Sequence, residues 1–456
     1  MAPSVEATGP RSLPSAPMTP ADPPSGVRLP RRTLAGYALG SLVTGSFGTV
    51  PGLLLLPYLT DTLGVAAGLA GLLVLLPKAW DVLINPIAGR VSDRSGSRTP
   101  YLIGAGLLLG VLFAAIFAGP FGHGGAAGAY VAVAFLAAAT AYAFFQVPYV
   151  AMPAELTDGY AERTRLLTWR VAVLALTILV SGALAPLIVD AAGGGLTGHR
   201  WAGACVGALI VVGALGVFFG TRKADSRIPT SSDHTFRVQL ATVASDVPFR
   251  GLLLCWVVQA AGIGTMLAGV QYFADHVLVQ DSGSTFLFAA FVGPALLVMP
   301  VWSRVGARAG KLRSLILASL IFAAGALTLL ASNVLPAPVV YAVVAVIGCG
   351  YAGQQVFAMA MLPDRIAADT ARTGRGQAGV YTGLWTAGET LGLALGPGIY
   401  ALVLQIFGYA SSATGEAAVQ DPTARLGVLL GFTIVPGLLV GSAVVLLRTY
   451  DDRVRS

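Results

Sequence analysis

Residues 86–96 read Pro-Ile-Ala-Gly-Arg-Val-Ser-Asp-Arg-Ser-Gly, and residues 300–310 read Pro-Val-Trp-Ser-Arg-Val-Gly-Ala-Arg-Ala-Gly. Pro, Arg, Val, Arg and Gly recur at one constant offset, 300 − 86 = 214. Each copy ends an apolar run with a short basic stretch, so the chain reads as one unit laid down twice. Working outward from the two copies, apolar runs fall at about 34–59, 66–90, 101–120, 126–152, 166–189, 203–221, 249–273, 283–304, 312–332, 337–361, 377–406 and 426–447. At 1.5 Å per residue each is long enough for the ~30 Å hydrocarbon core of a bilayer. The spacing predicts an all-α polytopic membrane protein with 12 transmembrane helices in two pseudo-symmetric six-helix bundles.

Composition agrees. Of 456 residues 55% are hydrophobic and 11% charged, against roughly a quarter charged in an average soluble domain. The mean hydropathy is +0.77. Those values exclude an ordinary cytosolic enzyme, and for most of the chain they exclude disorder, which needs low hydrophobicity. Residues 1–32 differ: rich in Pro, Ser and Ala and without the apolar stretch of a signal peptide, they read as a disordered cytoplasmic tail. Residues 33–221 and 249–448 are the expected bundles, joined by a polar cytoplasmic linker, 222–248, and followed by a short cytoplasmic tail, 449–456.

The formal charge of +7 raises nucleic acid as a partner until the charges are located. Of 28 Lys and Arg, Lys78 lies within a span, and Arg200 and Arg425 fall in the loops after the fifth and eleventh spans. The remaining 25 fall in the tails, the even-numbered loops and the span ends beside them. By the positive-inside rule those loops and both termini are cytoplasmic, in an inner or plasma membrane. Basic residues dispersed in this way make no nucleic-acid face. The expected partners are the bilayer and a small-molecule solute, with the protein as a monomer. Cys205, Cys255 and Cys349 lie inside apolar runs with no metal-ligand spacing, so neither a disulfide nor a metal site is expected.

An ionised side chain at mid-bilayer costs at least ~2.5–3.5 kcal/mol and persists only where it is paired or faces water. Lys78, Asp81 and Asn85 stand at i, i+3 and i+7 in the second span, on one helix face. Asp81 lies about nine residues, roughly 14 Å, from the cytoplasmic end, and Glu389 in the eleventh span about twelve, roughly 18 Å. Two carboxylates of similar depth, one per half, suit a bound cation or an exchanged proton. Gly388, Gly392 and Gly396 form a small-residue stripe beside Glu389 that admits a close neighbouring helix. His123, His199, His234 and His276 lie in loops or near span ends, which leaves proton traffic to Asp81 or Glu389. Tyr142, Gln146, Tyr149, Arg170, Gln259, Gln271, Gln354, Gln355 and Trp385 are the polar and aromatic candidates for an organic solute.

The segment Lys78-Ala-Trp-Asp81-Val-Leu-Ile-Asn85-Pro86-Ile-Ala-Gly89-Arg-Val-Ser-Asp93-Arg94-Ser-Gly96-Ser-Arg98 resembles the second span and following loop of the glycoside/pentoside/hexuronide:cation symporters, the melibiose permease group of the major facilitator superfamily. Gly89, Asp93, Arg94, Gly96 and Arg98 match the superfamily's signature loop, which holds the inward gate. A second stretch, from Val147-Pro148-Tyr149 through Pro153 and Glu155 to Arg163 and Arg170, is similar to the same group's fourth-to-fifth-span region. The resemblance implies the superfamily fold, Asp81 as a cation ligand, Asn85 in the place of a second cation-binding Asp, and Arg170 beside the solute. Gly45, Gln146 and Thr390 stand where sugar-carrying relatives have Asp, Asp and Lys. A neutral Asn85 weakens the case for sodium, which wants charged oxygen ligands. The loss of two carboxylates points toward a more apolar cargo, and lysophospholipids are carried within the same group.

No G-x-S-x-G, H-E-x-x-H or complete P-loop occurs in the chain, so an enzyme is not expected and no cofactor is called for beyond a coupling ion, H+ or Na+. Twelve unequal spans with a two-half repeat argue against a channel. The expectation is a secondary active transporter working by alternating access, by cation- or proton-coupled symport of a small organic solute. The alternatives are a proton-coupled exporter of hydrophobic compounds and a lysophospholipid transporter.

Overall fold

The computed structural model describes residues 28–94, 98–119, 122–157, 160–222, 246–280, 283–373, 378–412 and 419–450. The tail through residue 27, Gly96, linker residues 223–245, the last six residues and the side chains of Lys78, Asp93 and Arg94 lie outside the described part.

Helices satisfy every backbone donor and acceptor within one segment, which the bilayer demands. The first half contains α1 (Arg31–Pro57, continued by a π-helical turn Tyr58–Thr62), α2 (Ala67–Arg94), α3 (Thr99–Ile116), α4 (Gly125–Leu156), α5 (Tyr160–Ala191) and α6 (Gly195–Thr221). The second contains α7 (Val247–Phe273, continued by a π-helical turn Ala274–Leu278), α8 (Gly283–Leu297), α9 (Met299–Ala309), α10 (Lys311–Thr328), α11 (Ala337–Thr373), α12 (Ala378–Ile406), α13 (Pro422–Phe432) and α14 (Ile434–Leu446). Among the described residues ten spans are long and apolar enough to cross a membrane, and eleven when α8 and α9, bent by 52°, make one. The 28-residue α2 stands at the place of the second expected span. Pro294 and Pro300 flank the α8–α9 bend, and Pro436 follows the break at Thr433, where a missing N–H and ring clash interrupt the ladder. Leu72, Leu76, Val111 and Val133 point outward at 62–68% exposure, as lipid-facing side chains do.

The packing repeats as the sequence does. In the first half α1 packs on α5 and α6, α3 on α4 and α6, and α2 on α4. In the second α7 packs on α12 and α14, α10 on α11 and α14, and α8 on α11. The halves meet along α1 with α7, α2 with α12, and α5 with α8.

The expected glycine stripe lies on α7. A Cβ at Gly388 would come within 2.9 Å of Leu253, and one at Gly392 or Gly396 would overlap the α7 backbone at Val257 and at Gly264 and Thr265. Thr265 Oγ1 donates to Gly396 O across that contact (3.3 Å). At the basic end of the same bundle Asp246 caps α7 by accepting from Phe249 N–H (3.2 Å). It also accepts from Arg365 Nη2 at 2.8 Å and from Tyr381 Oη at 2.9 Å. Arg365 therefore ties α11, and Tyr381 ties α12, to the start of α7.

Helices outrun the apolar segments at several ends. Arg200, expected in a loop, lies inside α6 and donates through Nε to Ala118 O (2.7 Å). Arg425, also expected in a loop, sits in the first turn of α13. Local hydrogen bonding continues a helix past the point where hydropathy falls, provided the polar side chain finds a partner or solvent. The end of α1 does the same: Asp61 lies beyond the expected span, yet the π-helical turn carries it into the protein at 8% exposure.

At that end, remote from the basic loops, hydrogen bonds join the halves. Thr60 Oγ1 lies 2.7 Å from Tyr272 Oη. Tyr409 Oη donates to Asp61 Oδ1 (2.9 Å), Ser411 Oγ to Val65 O (2.9 Å) and Ser412 N to Thr60 O (2.9 Å).

The stripe is testable. Gly396→Val should cost about 1–3 kcal/mol or more by overpacking and lower the melting temperature of the purified protein. Gly383→Ala, on the same helix with no atom within 4 Å of its added carbon, should leave it unchanged or raise it by removing a helical glycine. Equal effects would remove the stripe's packing role.

Candidate solute and coupling site

The first half gathers four of the expected residues. On α5 the Arg170 guanidinium lies 5.2 Å from the Tyr149 ring centroid, a cation–π distance. Tyr149 on α4 stacks on Tyr37 of α1 at 4.7 Å and donates its hydroxyl to Tyr37 O (2.8 Å). Ser41 Oγ donates to Arg170 O (2.9 Å) and lies 3.2 Å from Tyr149 Oη. Tyr142, two turns earlier on α4, stacks on Phe47 at 4.5 Å, and both Asp81 and Arg170 lie within electrostatic reach of its hydroxyl. Asp81 itself is buried. Asn85 and Gln146 are half-buried on α2 and α4. Gly45 packs toward α5, where a Cβ would come within 2.8 Å of Thr177, so that place offers no room for a carboxylate.

The second half gathers the others. Trp385 on α12 stacks on Trp256 of α7, with centroids 5.0 Å apart and planes 17° from parallel. Gln259, one turn after Trp256, donates Nε2 to Ser319 Oγ on α10 (2.9 Å). Gln354 on α11 adjoins the same turn of α10, because Gly350 and Gly353 both pack on Ala318. Glu389, one turn after Trp385, is half-buried and lies within electrostatic reach of Tyr351 on α11. Asp81 and Glu389 thus keep company with different groups, one with the Arg170 cluster and one with Tyr351.

Five polar atoms of this second cluster are buried without a hydrogen-bond partner: Trp256 Nε1, Trp385 Nε1, Gln259 Oε1, and both Nε2 and Oε1 of Gln354. Each such atom costs about 1–3 kcal/mol. The grouping of the five on α7, α11 and α12 marks a place where polar capacity is held in reserve.

In the signature loop Gly89 lies half-buried on α2, 3.5 Å from Val147 by its would-be Cβ. Arg98 is buried and donates Nη1 to Ser92 Oγ (2.7 Å), and Ser92 Oγ donates to Gly89 O (3.0 Å). Sequence reasoning missed Trp256, Ser319, Tyr37 and Ser41. The last two form an i, i+4 polar pair in an apolar helix, a readable signal; Trp256 and Ser319 carried none, because their role depends on which helices pack together.

The family model described as MFS/sugar transport protein matches residues 36–451. The chain belongs to this family. Among curated relatives of this MFS/sugar transport protein, the uncharacterized symporter YnaJ of Bacillus subtilis (strain 168) is 25% identical over 439 residues, 91% of this chain and 90% of that protein. The glucuronide carrier protein homolog of Escherichia coli (strain K12) is 24% identical over 424 residues, 89% of each. The fold is similar to the solved structure of a bacterial homolog to the human lysosomal transporter Spinster, with a TM-score of 0.67, 16% identity, and coverage of 92% of this chain and 96% of that one.

Gln354→Leu replaces an amide that has no hydrogen-bond partner with an apolar group of similar size. It should raise the melting temperature of the solute-free protein, by about 1–3 kcal/mol of stability; a fall would mean that the amide is satisfied in solution.

Proposed function

We propose that this protein is a secondary transporter that carries a small glycoside-like solute by cation-coupled symport, with alternating access between the two halves. The observation that carries this reading is the set of five unpartnered polar atoms in the second half, opposite a half that offers a guanidinium and phenols. A sugar supplies hydroxyls for the amides and indole N–H groups and an apolar ring face for the indoles. An acidic sugar of the glucuronide class adds a carboxylate for Arg170, the geometry at which a guanidinium binds best. The relatives named as a symporter and as a glucuronide carrier homolog support both parts.

Asp81 and Glu389 are our coupling carboxylates. Binding a cation or proton neutralises them, which lowers the cost of enclosing charge in a low-dielectric site and lets the halves rock. The neutral Asn85 favours the proton over sodium, which is better held by several charged oxygens. Lys78, three residues before Asp81 in the sequence, is our proposed charge partner for it. The buried indole pair opens to solute only in a second conformation, and binding shifts the population toward it. The distribution of basic residues supports cytoplasmic termini in a plasma membrane, and we take the working unit to be a monomer.

In proteoliposomes, an imposed inward pH gradient should drive accumulation of methyl β-D-glucuronide. Asp81→Asn should reduce that accumulation by about tenfold or more, close to 1.4 kcal/mol of lost coupling, with insertion unchanged. Accumulation that follows sodium and ignores pH would overturn the choice of ion, and a fully active Asp81→Asn would remove Asp81 from coupling. A thermal-shift series with sugars, lysolipids and hydrophobic drugs tests the solute class, since a ligand at 100 times its Kd adds ~2.7 kcal/mol.

A further inference from the structure

The end of the molecule remote from the basic loops holds buried titratable side chains that neither the solute site nor the Asp81 and Glu389 pair uses. Asp61, at the end of α1, accepts from Tyr409 Oη at 2.9 Å. The same Tyr409 oxygen lies 2.9 Å from His276 Nε2. A phenol has one proton, and here it goes to Asp61, so His276 Nε2 carries a hydrogen and the Tyr409 oxygen accepts it. The direction of the chain is thereby set: His276 Nε2–H to Tyr409 Oη–H to Asp61 Oδ1. It crosses the seam, with Asp61 from the first half and the other two from the second.

The internal repeat isolates what is special here. Tyr58-Leu-Thr-Asp61 and Tyr272-Phe-Ala-Asp275 stand at the same offset of 214. Asp275 is thus the counterpart of Asp61, and His276 the counterpart of Thr62. The two carboxylates are used differently. Asp275 accepts from Gln271 Nε2, one turn back in its own helix, at 3.1 Å to each oxygen, whereas Asp61 reaches into the other half. Replacing Thr by His at the second copy places an imidazole, which can carry a proton on either ring nitrogen, at one end of the chain.

Other titratable groups surround it. Tyr272 and Tyr400 lie within electrostatic reach of Asp61, as does Asp275. Arg425 on α13 faces His276, and Asp190 at the end of α5 faces Asp275. On the first-half side His199 lies 4.7 Å from the Tyr58 ring by centroids, and His123 Nδ1 is 3.2 Å from Thr62 O. Among the described residues, the hydrogen bonds that connect His276 to Asp61 run through Tyr409.

We propose that His276, Tyr409 and Asp61 form a proton relay from the remote face of the protein, and that delivery of the proton to Asp61 loosens the closure at that end. A solvent proton adds to His276 Nδ1. Nε2–H then passes its proton to Tyr409 Oη as the Tyr409 proton passes to Asp61 Oδ1. One N–H and one O–H bond break and two O–H bonds form; an imidazolium and a carboxylate become a neutral imidazole and a carboxylic acid. A hydrogen bond to a charged acceptor is about twice as strong as a neutral one, so the link between the halves weakens once Asp61 is neutral. The place of this relay in a transport cycle rests on the symport reading, with the proton as the coupling ion.

The test needs no solute. In the full chain carrying Cys205→Ser, Cys255→Ala and Cys349→Ala, Ser411→Cys places a thiol at the closed end. Intact cells are treated with a membrane-impermeant methanethiosulfonate, and labelling rates are normalised to free cysteine at each pH. Labelling should quicken about fivefold or more between about pH 8 and about pH 5.5. Asp61→Asn should label fast at both values. His276→Gln, whose amide N–H still donates to Tyr409, should label slowly at both, and Asp61→Glu should restore the response. A parent with no pH response, or His276→Gln with the parental response, overturns the relay; should Asp61→Asn fail to fold, His276→Gln and Asp61→Glu decide. If labelling responds as stated while no ion gradient drives glucuronide accumulation, the symport reading fails and the relay stands. Proton-driven accumulation with flat labelling gives the converse.

Discussion

A polar group inside a bilayer has no water to fall back on, and this constraint organises the whole molecule. Helices discharge it for the backbone. For side chains the protein answers it in two ways. Asp246 is saturated, by its own helix start, by Arg365 and by Tyr381. Trp256, Gln259, Gln354 and Trp385 instead retain five unpartnered atoms in one region. Removing one partner of the first kind costs about 3–5 kcal/mol, so such groups hold structure. The second kind holds unspent hydrogen-bonding capacity, which a transporter can use on a solute that comes and goes.

The two halves share a packing scheme and differ in chemistry. The same helix pairings recur in both halves, as the sequence repeat at 86–96 and 300–310 leads one to expect. Polar content is free to diverge, since a substitution at the seam leaves the bundle's own contacts intact. The first half presents a guanidinium among phenols, and the second presents amides and indoles. Asp61 and Asp275 diverge in the same manner, one reaching across the seam and the other satisfied within its helix.

Within a half, contacts are of a kind that resists change: the α7 backbone against glycines of α12 leaves no space for sliding. Between halves, at the remote end, the links are a handful of hydrogen bonds, each worth about 0.5–1.5 kcal/mol net. Rigid bundles joined by a weak and directional closure are what a two-state rocking motion requires. Charge at Asp61 bears directly on that closure, because its carboxylate is one of the joining groups.

Much of the architecture was legible from residue order alone. Hydrophobic runs, basic loops and the copy of residues 86–96 at 300–310 determined a polytopic helical membrane protein with two related halves, because the bilayer leaves a sequence few other options. The glycines at 388, 392 and 396 announced a close helix contact, and Asp81 and Glu389 announced themselves by their cost in lipid. Hydropathy could not see that Asp61 is buried, since it lies past the end of its apolar run and is drawn inward by a π-helical turn and a tyrosine 348 residues away. Nor could it pair Trp256 with Trp385, or divide the polar residues into an Arg170 cluster and an amide and indole cluster. Those outcomes depend on which helices touch and at what height, and side-chain partnership between distant segments is decided only when the bundle closes.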